Sequence, residues 1–219
     1  MPPPDILRYP RLIFDFDGVL ADTNPIRVDG FRLLFQGFPE SKVDAMVRYA
    51  EANGGMSRYE KIRYFFKELI GEPVSEEKVV EWSARYSDLV KRRVIEAEAV
   101  KGSIEFLARF HRPGRFAIVS GSDQEELRSV CQARGLRGYF AEILGSPARK
   151  EENLQRLLGT QKWQARECVF IGDTLNDLTA ARAVGIDFVG RNSGMVDWRI
   201  IGGVPWFDDF TDLTPPPAL

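Results

Sequence analysis

Short uninterrupted runs of apolar residues recur along the chain. The clearest are residues 12–14, 116–119 and 168–171, and shorter runs occupy 142–144 and 187–189. Runs of this length without polar alternation are typical of strands that are covered on both faces. The three clearest runs end in aspartate, serine or glycine, where the chain is expected to leave the sheet. The pattern therefore predicts a set of buried strands with polar residues at their carboxyl ends.

Helical segments are predicted in the intervals between these strands. They cover residues 103–110, 124–134, 151–158 and 175–184. The second has a candidate cap at Ser122 or Asp123 and a stop at Gly135. Strands that alternate with helices favour a parallel sheet with helices on both faces. The predicted fold class is α/β, with a Rossmann-like parallel core.

Residues 24 to about 98 carry no convincing strand pattern and are punctuated by glycine and proline. Their apolar positions recur at helical spacing, as at Ile62, Phe65, Phe66 and Leu69. The predicted organisation is an all-helical domain of about four helices, residues 23–98, inserted into a core formed by residues 1–22 and 99–219. The prolines at 2–4 and 215–217 predict extended ends.

Charge and composition exclude several classes of function. The net charge is −2, so no basic excess is available to neutralise nucleic-acid phosphates. No apolar run reaches membrane-spanning length, and the first residues lack the pattern of a signal peptide. Cys131 and Cys168 match no metal-binding spacing and are expected to be reduced thiols in the cytoplasm. A single histidine, His111, argues against a catalytic triad or zinc site.

Polar residues suited to phosphate chemistry follow three of the predicted strands. Asp15 and Asp17 follow the first, and two carboxylates this close repel unless a cation or a proton separates them. Mg²⁺ is the natural cation because it prefers oxygen ligands. One carboxylate can attack a phosphoryl group, and the other can protonate the leaving oxygen and later activate water.

The other strand ends add a phosphate cradle and further acids. Ser120 and Gly121 follow the second strand, where a hydroxyl and free backbone N–H groups can hold phosphate. Asp173 and Asp177 are spaced to aim at one cation. Lys150 can balance the charge of the acids and the phosphate. Because ligands bind beyond the carboxyl ends of parallel strands, these residues are expected in one crevice.

The motif Asp-Phe-Asp-Gly-Val-Leu-Ala-Asp-Thr, residues 15–23, resembles the first motif of the haloacid dehalogenase superfamily. Ser120, Lys150 and residues 172–177 resemble the second, third and fourth motifs in the correct order. The resemblance implies Asp15 as nucleophile and metal ligand, and Asp17 as acid/base with its backbone carbonyl on the metal. It implies Asp173 and Asp177 as further Mg²⁺ ligands, Asp177 directly or through water. Ser120 and Lys150 would bind the transferring phosphate, and the helical insertion would close over the site.

Asp17 also narrows the choice within this superfamily. Halide-cleaving members lack an aspartate at this place, and phosphonate-cleaving members carry a small residue, so phosphate esters are favoured. Residues 55–58 resemble the cap loop of β-phosphoglucomutase, which makes Arg58 a candidate substrate ligand beside Thr23 at the entrance. That mutase has a histidine where Arg27 stands here. The predicted function is a Mg²⁺-dependent phosphatase of a small metabolite, similar to phosphoglycolate phosphatase, and the alternative is a sugar-phosphate mutase.

Overall fold

A single parallel sheet forms the core in the computed structural model of the chain, which describes residues 4–213. Its strands are β1 (Arg11–Phe14), β2 (Phe116–Asp123), β3 (Phe140–Ser146), β4 (Cys168–Gly172), β5 (Asp187–Arg191) and β6 (Trp206–Phe207). They lie in the order β3-β2-β1-β4-β5-β6, and all neighbours are parallel. This is the doubly wound order of a Rossmann-like core, so the predicted fold class is confirmed. The prolines at 2, 3 and 215–217, predicted to be extended, lie outside the described residues.

Helices cover both faces of the sheet. They are α1 (Asn24–Leu34), α2 (Glu40–Ala52), α3 (Arg58–Tyr64), α4 (Glu76–Glu96), α5 (Ser103–Phe110), α6 (Gln124–Ala133), α7 (Lys150–Gln161) and α8 (Leu175–Val184). Leu12 and Phe14 of β1 belong to the apolar cluster that contains residues of α5 and α6, whereas Ile13 belongs to the cluster under α7 and α8. Successive residues of a strand point to opposite faces, which explains this division. None of the helices within residues 4–213 combines the length and apolar character needed to cross a bilayer.

Three details differ from the sequence prediction. β2 continues through Ser120 and Gly121 to Asp123, so these residues extend the strand instead of leaving it. α3 passes into a π-helical segment, Phe65–Ile70, whose wider turns still place Phe65 in the core. The short edge strand β6 was not predicted, because two residues are too few to show any periodicity.

The helices α1 to α4 pack on one another around a cluster of aromatic rings. The rings of Phe35 and Phe65 stack with centroids 3.6 Å apart, and Trp82 lies 5.4 Å from Phe35. Gly30 lets α1 approach α4 closely, because a β-carbon there would lie 2.5 Å from Val90. Phe35 and Phe65 belong to the same apolar cluster as residues of β1, so α1 to α4 are packed continuously with one face of the sheet.

Glu126 joins this insertion to the core. It lies in the first turn of α6, and its carboxylate accepts hydrogen bonds from Arg27 of α1 at 2.5 Å and from Arg58 of α3 at 2.7 Å. Ser87 of α4 donates a third bond to it at 2.5 Å. Burial alone would raise the pKa of Glu126, but the charges of Arg27 and Arg58 outweigh burial and lower this pKa to about 2. Three helices of the insertion are thus tied to one core carboxylate.

Arg134 fixes the far end of the insertion. Its guanidinium donates to the carbonyl oxygens of Val94, Ile95 and Ala97, at 3.1, 2.9 and 2.7 Å, where α4 ends. A cation at this place also complements the negative end of the helix dipole. The chain therefore returns to the core at a well-defined point.

Replacement of Glu126 by alanine is expected to destabilise the protein by about 3–5 kcal/mol, because buried Arg58 loses its carboxylate and Arg27 loses one of its two. Glu125→Ala is the matched control: its side chain is 82% exposed, and we expect a change within about 0.5 kcal/mol. Chemical denaturation of both variants measures the difference. Equal free energies of unfolding for the two variants would contradict the role given to Glu126.

Candidate active site

The chemistry-bearing residues meet at the carboxyl edge of β1, β2 and β4. Asp15 directly follows β1, and its backbone N–H donates to the carbonyl of Ile171 in β4 at 2.8 Å. Ser120 lies in β2, and Asp173 directly follows β4. Parallel strands bring their carboxyl ends to one edge, which is why residues far apart in sequence lie together here.

Lys150 lies between two of the buried carboxylates. Its ammonium donates to Asp15 Oδ2 at 2.7 Å and to Asp177 Oδ1 at 2.5 Å. Burial alone would lower the pKa of Lys150, but the charges of Asp15 and Asp177 outweigh burial and raise it above its ordinary value. Arg149, the cation next to it in the sequence, has a side chain that is 66% exposed and pairs with Glu60. Lys150 is therefore the cation that faces the acids.

Asp15, Asp173 and Asp177 form a buried acidic cluster, in which one carboxylate oxygen of each residue lies within 4.8 Å of those of the other two. Burial, the stronger effect, and the other carboxylates together raise the pKa of Asp15 to about 7 and that of Asp173 to about 8. Three carboxylates face one lysine, which leaves two negative charges uncompensated when all three acids are ionised. This donor set fits a hard divalent cation that prefers oxygen ligands.

Gly18 allows two side chains of the site to approach the backbone closely. Its φ is +70°, and a β-carbon there would collide with the carboxylate of Asp173 and the amide of Asn24. Asn24 donates to Asp173 Oδ2 at 2.7 Å and so orients that carboxylate. The first helix of the insertion therefore contributes to the acidic cluster.

The side chain of Asp17 lies apart from the other acids. It accepts hydrogen bonds from Thr23 at 2.5 Å, Ser122 at 2.5 Å and Arg27 at 2.8 Å. Burial alone would raise the pKa of Asp17, but the charge and hydrogen bonds of Arg27 outweigh burial and lower it. The two acids of the first motif thus have separate cationic partners, Lys150 for Asp15 and Arg27 for Asp17. From the sequence, a single cation is expected between them.

A loop of the insertion lies across the strand ends. The Gly55 carbonyl accepts a hydrogen bond from Asn176 at 2.8 Å and packs against Gly121, where a β-carbon would collide with it. At Gly55 itself, whose φ is +73°, a β-carbon would lie 2.5 Å from Thr174 and 3.1 Å from Lys150 Nζ. The absence of side chains at both glycines therefore allows the loop to come this close.

The loop and the strand ends enclose a pocket with about 580 Å³ of unoccupied space, including its mouth. It is lined by the acids Asp15, Asp17 and Asp173, by Ser120 and Gly121, and by Arg58. Arg58 starts a helix, where an arginine is often exposed, but here its side chain is buried. Its guanidinium donates a hydrogen bond to Glu126 and lies over the ring of Tyr86. Thr23 is buried and its hydroxyl donates a hydrogen bond to Asp17, so it is not exposed at the pocket entrance.

The sequence prediction named neither Lys61 nor Glu126, and it did not include the contact of Asn24 with Asp173. Arg27 was singled out only as the replacement of a histidine, and its contact with Asp17 was not foreseen. The sequence offered one indication of these ion pairs, because Arg27 and Arg58 are charged residues within amphipathic helices. Their partner, Glu126, is about a hundred residues from Arg27, and only the tertiary fold brings them together.

Comparison with known proteins identifies the family. The model of haloacid dehalogenase-like hydrolases matches residues 10–185. A 5'-nucleotidase from Pseudomonas aeruginosa is 26% identical over 212 residues, covering 86% of this chain and 85% of that protein. A phosphoglycolate phosphatase from Psychrobacter arcticus is 26% identical over 219 residues, covering 92% of this chain and 93% of the relative. Phosphatases are therefore among its full-length relatives.

Solved structures support the same fold. CbbY from Rhodobacter sphaeroides in complex with phosphate superposes with a TM-score of 0.76 at 20% identity, covering 94% of this chain and 96% of that one. A putative phosphoglycolate phosphatase from Lactobacillus plantarum gives a TM-score of 0.72 at 20% identity, covering 94% and 97% of the two chains. The family model spans most of the chain and includes every one of the motif residues. The chain belongs to the haloacid dehalogenase-like hydrolases.

Proposed function

We propose that this phosphatase hydrolyses a phosphate monoester of a small metabolite through a covalent phosphate on Asp15, with Mg²⁺ as cofactor. The observation that carries the proposal is the placement of Asp15. Its carboxylate is buried, held at 2.7 Å by Lys150, and shares a pocket with Ser120 and the acid Asp173. A carboxylate steadied in this way can act as a nucleophile instead of as a surface charge.

The first half of the reaction would transfer the phosphoryl group to the enzyme. A carboxylate oxygen of Asp15 attacks phosphorus, and the bond from phosphorus to the ester oxygen breaks. The leaving oxygen takes a proton from Asp17. Ser120, the backbone at Gly121 and Lys150 would hold the phosphoryl oxygens, since a hydroxyl, N–H groups and an ammonium can all donate to them.

The second half would release inorganic phosphate. Asp17 accepts a proton from a water molecule, the water oxygen attacks phosphorus, and the bond from phosphorus to Asp15 breaks. The contact of Arg27 with Asp17 lowers the pKa of Asp17 and favours its ionised form, which is the form that this base step needs. For the acid step Asp17 must carry a proton, so we expect the Arg27 guanidinium to move off Asp17 when the substrate binds.

Mg²⁺ would be held by Asp15 and Asp173, with Asp177 directly or through water and with the backbone carbonyl of Asp17. When bound, it would offset the negative charge of the acids and polarise the phosphoryl oxygens. The buried acidic cluster of Asp15, Asp173 and Asp177 supports this part of the proposal.

Residues 23–98 would act as a cap domain over a catalytic core of residues 1–22 and 99–219. The loop contact between Gly55 and Gly121 and the ion pairs of Glu126 support a closed cap. Arg58 would then act on the substrate indirectly, by joining the cap to Glu126. A cytoplasmic location stays a prediction, based on the two free buried cysteines.

A sugar-phosphate mutase of the β-phosphoglucomutase type remains the alternative reaction. Two measurements on one sample separate the reactions: inorganic phosphate released, and isomerised sugar phosphate formed. With Mg²⁺, we expect the purified protein to release phosphate from p-nitrophenyl phosphate and from members of a metabolite panel. Isomerisation without net release of phosphate would instead establish the mutase, and the absence of both would reject the proposal.

Asp15→Asn is expected to lower phosphate release by about a thousandfold or more, because an amide cannot form the covalent phosphate. The fold should persist, since asparagine has the same shape and Lys150 keeps Asp177 as a partner. Asp44→Asn is the matched control, at an exposed residue paired with Arg32, and should keep full activity. Full activity in Asp15→Asn would reject Asp15 as the nucleophile.

Mg²⁺ is expected to stabilise the protein more at pH 8 than at pH 6. The pKa values of Asp15 and Asp173 are raised to about 7 and 8, above the unfolded-state value near 4. The metal-free folded chain therefore keeps protons that the unfolded chain has lost, and its stability falls as pH rises through this window. Mg²⁺ needs the deprotonated acids, so its contribution grows over the same window.

Thermal unfolding with and without Mg²⁺ at the two pH values measures this difference. Asp173→Asn should lose most of the Mg²⁺-induced rise in melting temperature. An equal or smaller rise at pH 8 than at pH 6 in the unmodified protein would contradict the assignment of these acids as ligands.

A further inference from the structure

Lys61 of α3 is a buried cation that the proposed reaction does not use. It lines the same pocket as Asp15 and Asp17, and only 7% of it is exposed. Its ammonium has one hydrogen-bond partner among the described residues, the carbonyl oxygen of Ala50 at 3.3 Å, and lies 5.5 Å from the ring centroid of Phe31. An ammonium has three N–H donors, so most of its hydrogen-bonding capacity is unused.

The neighbouring cations do have carboxylate partners. Arg58 pairs with Glu126, and Arg27 pairs with both Glu126 and Asp17. Lys61 forms no salt bridge with any residue that the structure describes. Arg27 also keeps one buried nitrogen, Nη2, without a hydrogen-bond partner. The insertion side of the pocket thus offers donors on Lys61 and on Nη2 of Arg27, and among residues 4–213 the one acceptor they have is the carbonyl of Ala50, which Lys61 contacts.

The charges around Lys61 also indicate that its ammonium lacks a counter-charge. Burial, followed by repulsion from Lys150, lowers the pKa of Lys61 to about 7. Asp17 attracts the ammonium but does not offset these effects, because it is bonded to Arg27, Thr23 and Ser122. A buried cation without a counter-charge is costly, and an anion brought by a ligand would remove that cost.

We infer that Lys61, assisted by Nη2 of Arg27, forms a second anion subsite on the cap side of the pocket. The preferred substrate is then a phosphate monoester whose leaving group carries another anionic group, either a carboxylate or a second phosphate. This inference rests on the proposed function and names the class of substrate. It differs from the sequence prediction, which gave the recognition of the substrate to Arg58.

Neutral leaving groups would be bound less well for a physical reason. They would exclude water from the pocket while leaving the Lys61 ammonium with no acceptor beyond the carbonyl of Ala50. Leaving a buried polar group unsatisfied costs more than a good hydrogen bond contributes, so the penalty falls on the neutral substrate. Selectivity of this kind comes from an unpaired group in the site as much as from the favourable contact.

The test compares matched pairs of substrates with the Mg²⁺-loaded protein. In one arm the phosphate esters of short hydroxy acids are compared with those of the corresponding amides. In the other, the bisphosphates of short diols are compared with the monophosphates. We expect kcat/KM to be about tenfold or more higher for the charged member in at least one arm, mainly through a lower KM. The arm that responds identifies the anion as carboxylate or phosphate.

Lys61→Met should abolish most of this preference, because methionine is similar in length but uncharged. Lys61→Arg should retain part of it. Lys67→Met is the matched control at an exposed lysine, and should keep the full preference. Thermal unfolding checks that each variant is folded, and we expect Lys61→Met to be at least as stable as the unmodified protein because it removes a buried charge.

Calorimetric titration separates this inference from the proposed function. Binding of the same pairs is measured in Asp15→Asn, alone and combined with Lys61→Met, so the result does not depend on turnover. A loss of charge preference on adding Lys61→Met supports the subsite even if phosphate release fails. Equal affinity for charged and neutral members in Asp15→Asn, or an equal loss for both on adding Lys61→Met, overturns it while leaving the phosphatase proposal intact.

Discussion

Three carboxylates and one lysine are buried together where β1 and β4 end, and their mutual repulsion is the constraint that the surrounding structure has to meet. Lys150 meets part of it by bridging Asp15 and Asp177. Asp177 is held further by the backbone N–H and hydroxyl of Thr174, at 3.1 and 2.6 Å, in a capping box that starts α8. The start of the helix and the charge balance of the site therefore depend on the same carboxylate.

A second charged network lies where α1 and α3 meet the core, and here the cations outnumber the carboxylate that joins them. Here one core carboxylate, Glu126, serves two arginines, and one of them also contacts Asp17. Desolvation offsets much of the attraction in a buried network of this kind, whereas removal of one partner leaves an uncompensated buried charge. Arg27 contacts both Glu126 and Asp17, so the seating of the insertion and the electrostatic environment of Asp17 depend on the same side chain.

Much of this structure could be predicted from the sequence. The apolar runs predicted the buried strands of the sheet, and the polar residues after them predicted which strand ends would carry the site. Local patterns do not reveal partners across the fold. That Lys150 faces inward while Arg149 faces solvent depends on the start of α7, and the pairing of Arg27 with Glu126 depends on how the insertion is seated. The buried environment of Lys61 had no sequence signal, because a lone lysine in an amphipathic helix is usually solvated.

The close approach of Gly55 to Gly121 has a consequence for how tightly the pocket can shut. The loop carbonyl occupies the volume that a single methyl group on Gly121 would need. The closed arrangement therefore tolerates no side chain at this contact, and one added carbon would act as a wedge between the two parts of the molecule. A wedged molecule would keep its sheet and its acids in place while leaving the pocket open to solvent. The fit between Gly55 and Gly121, at the scale of one atom, therefore determines how well the pocket can exclude water.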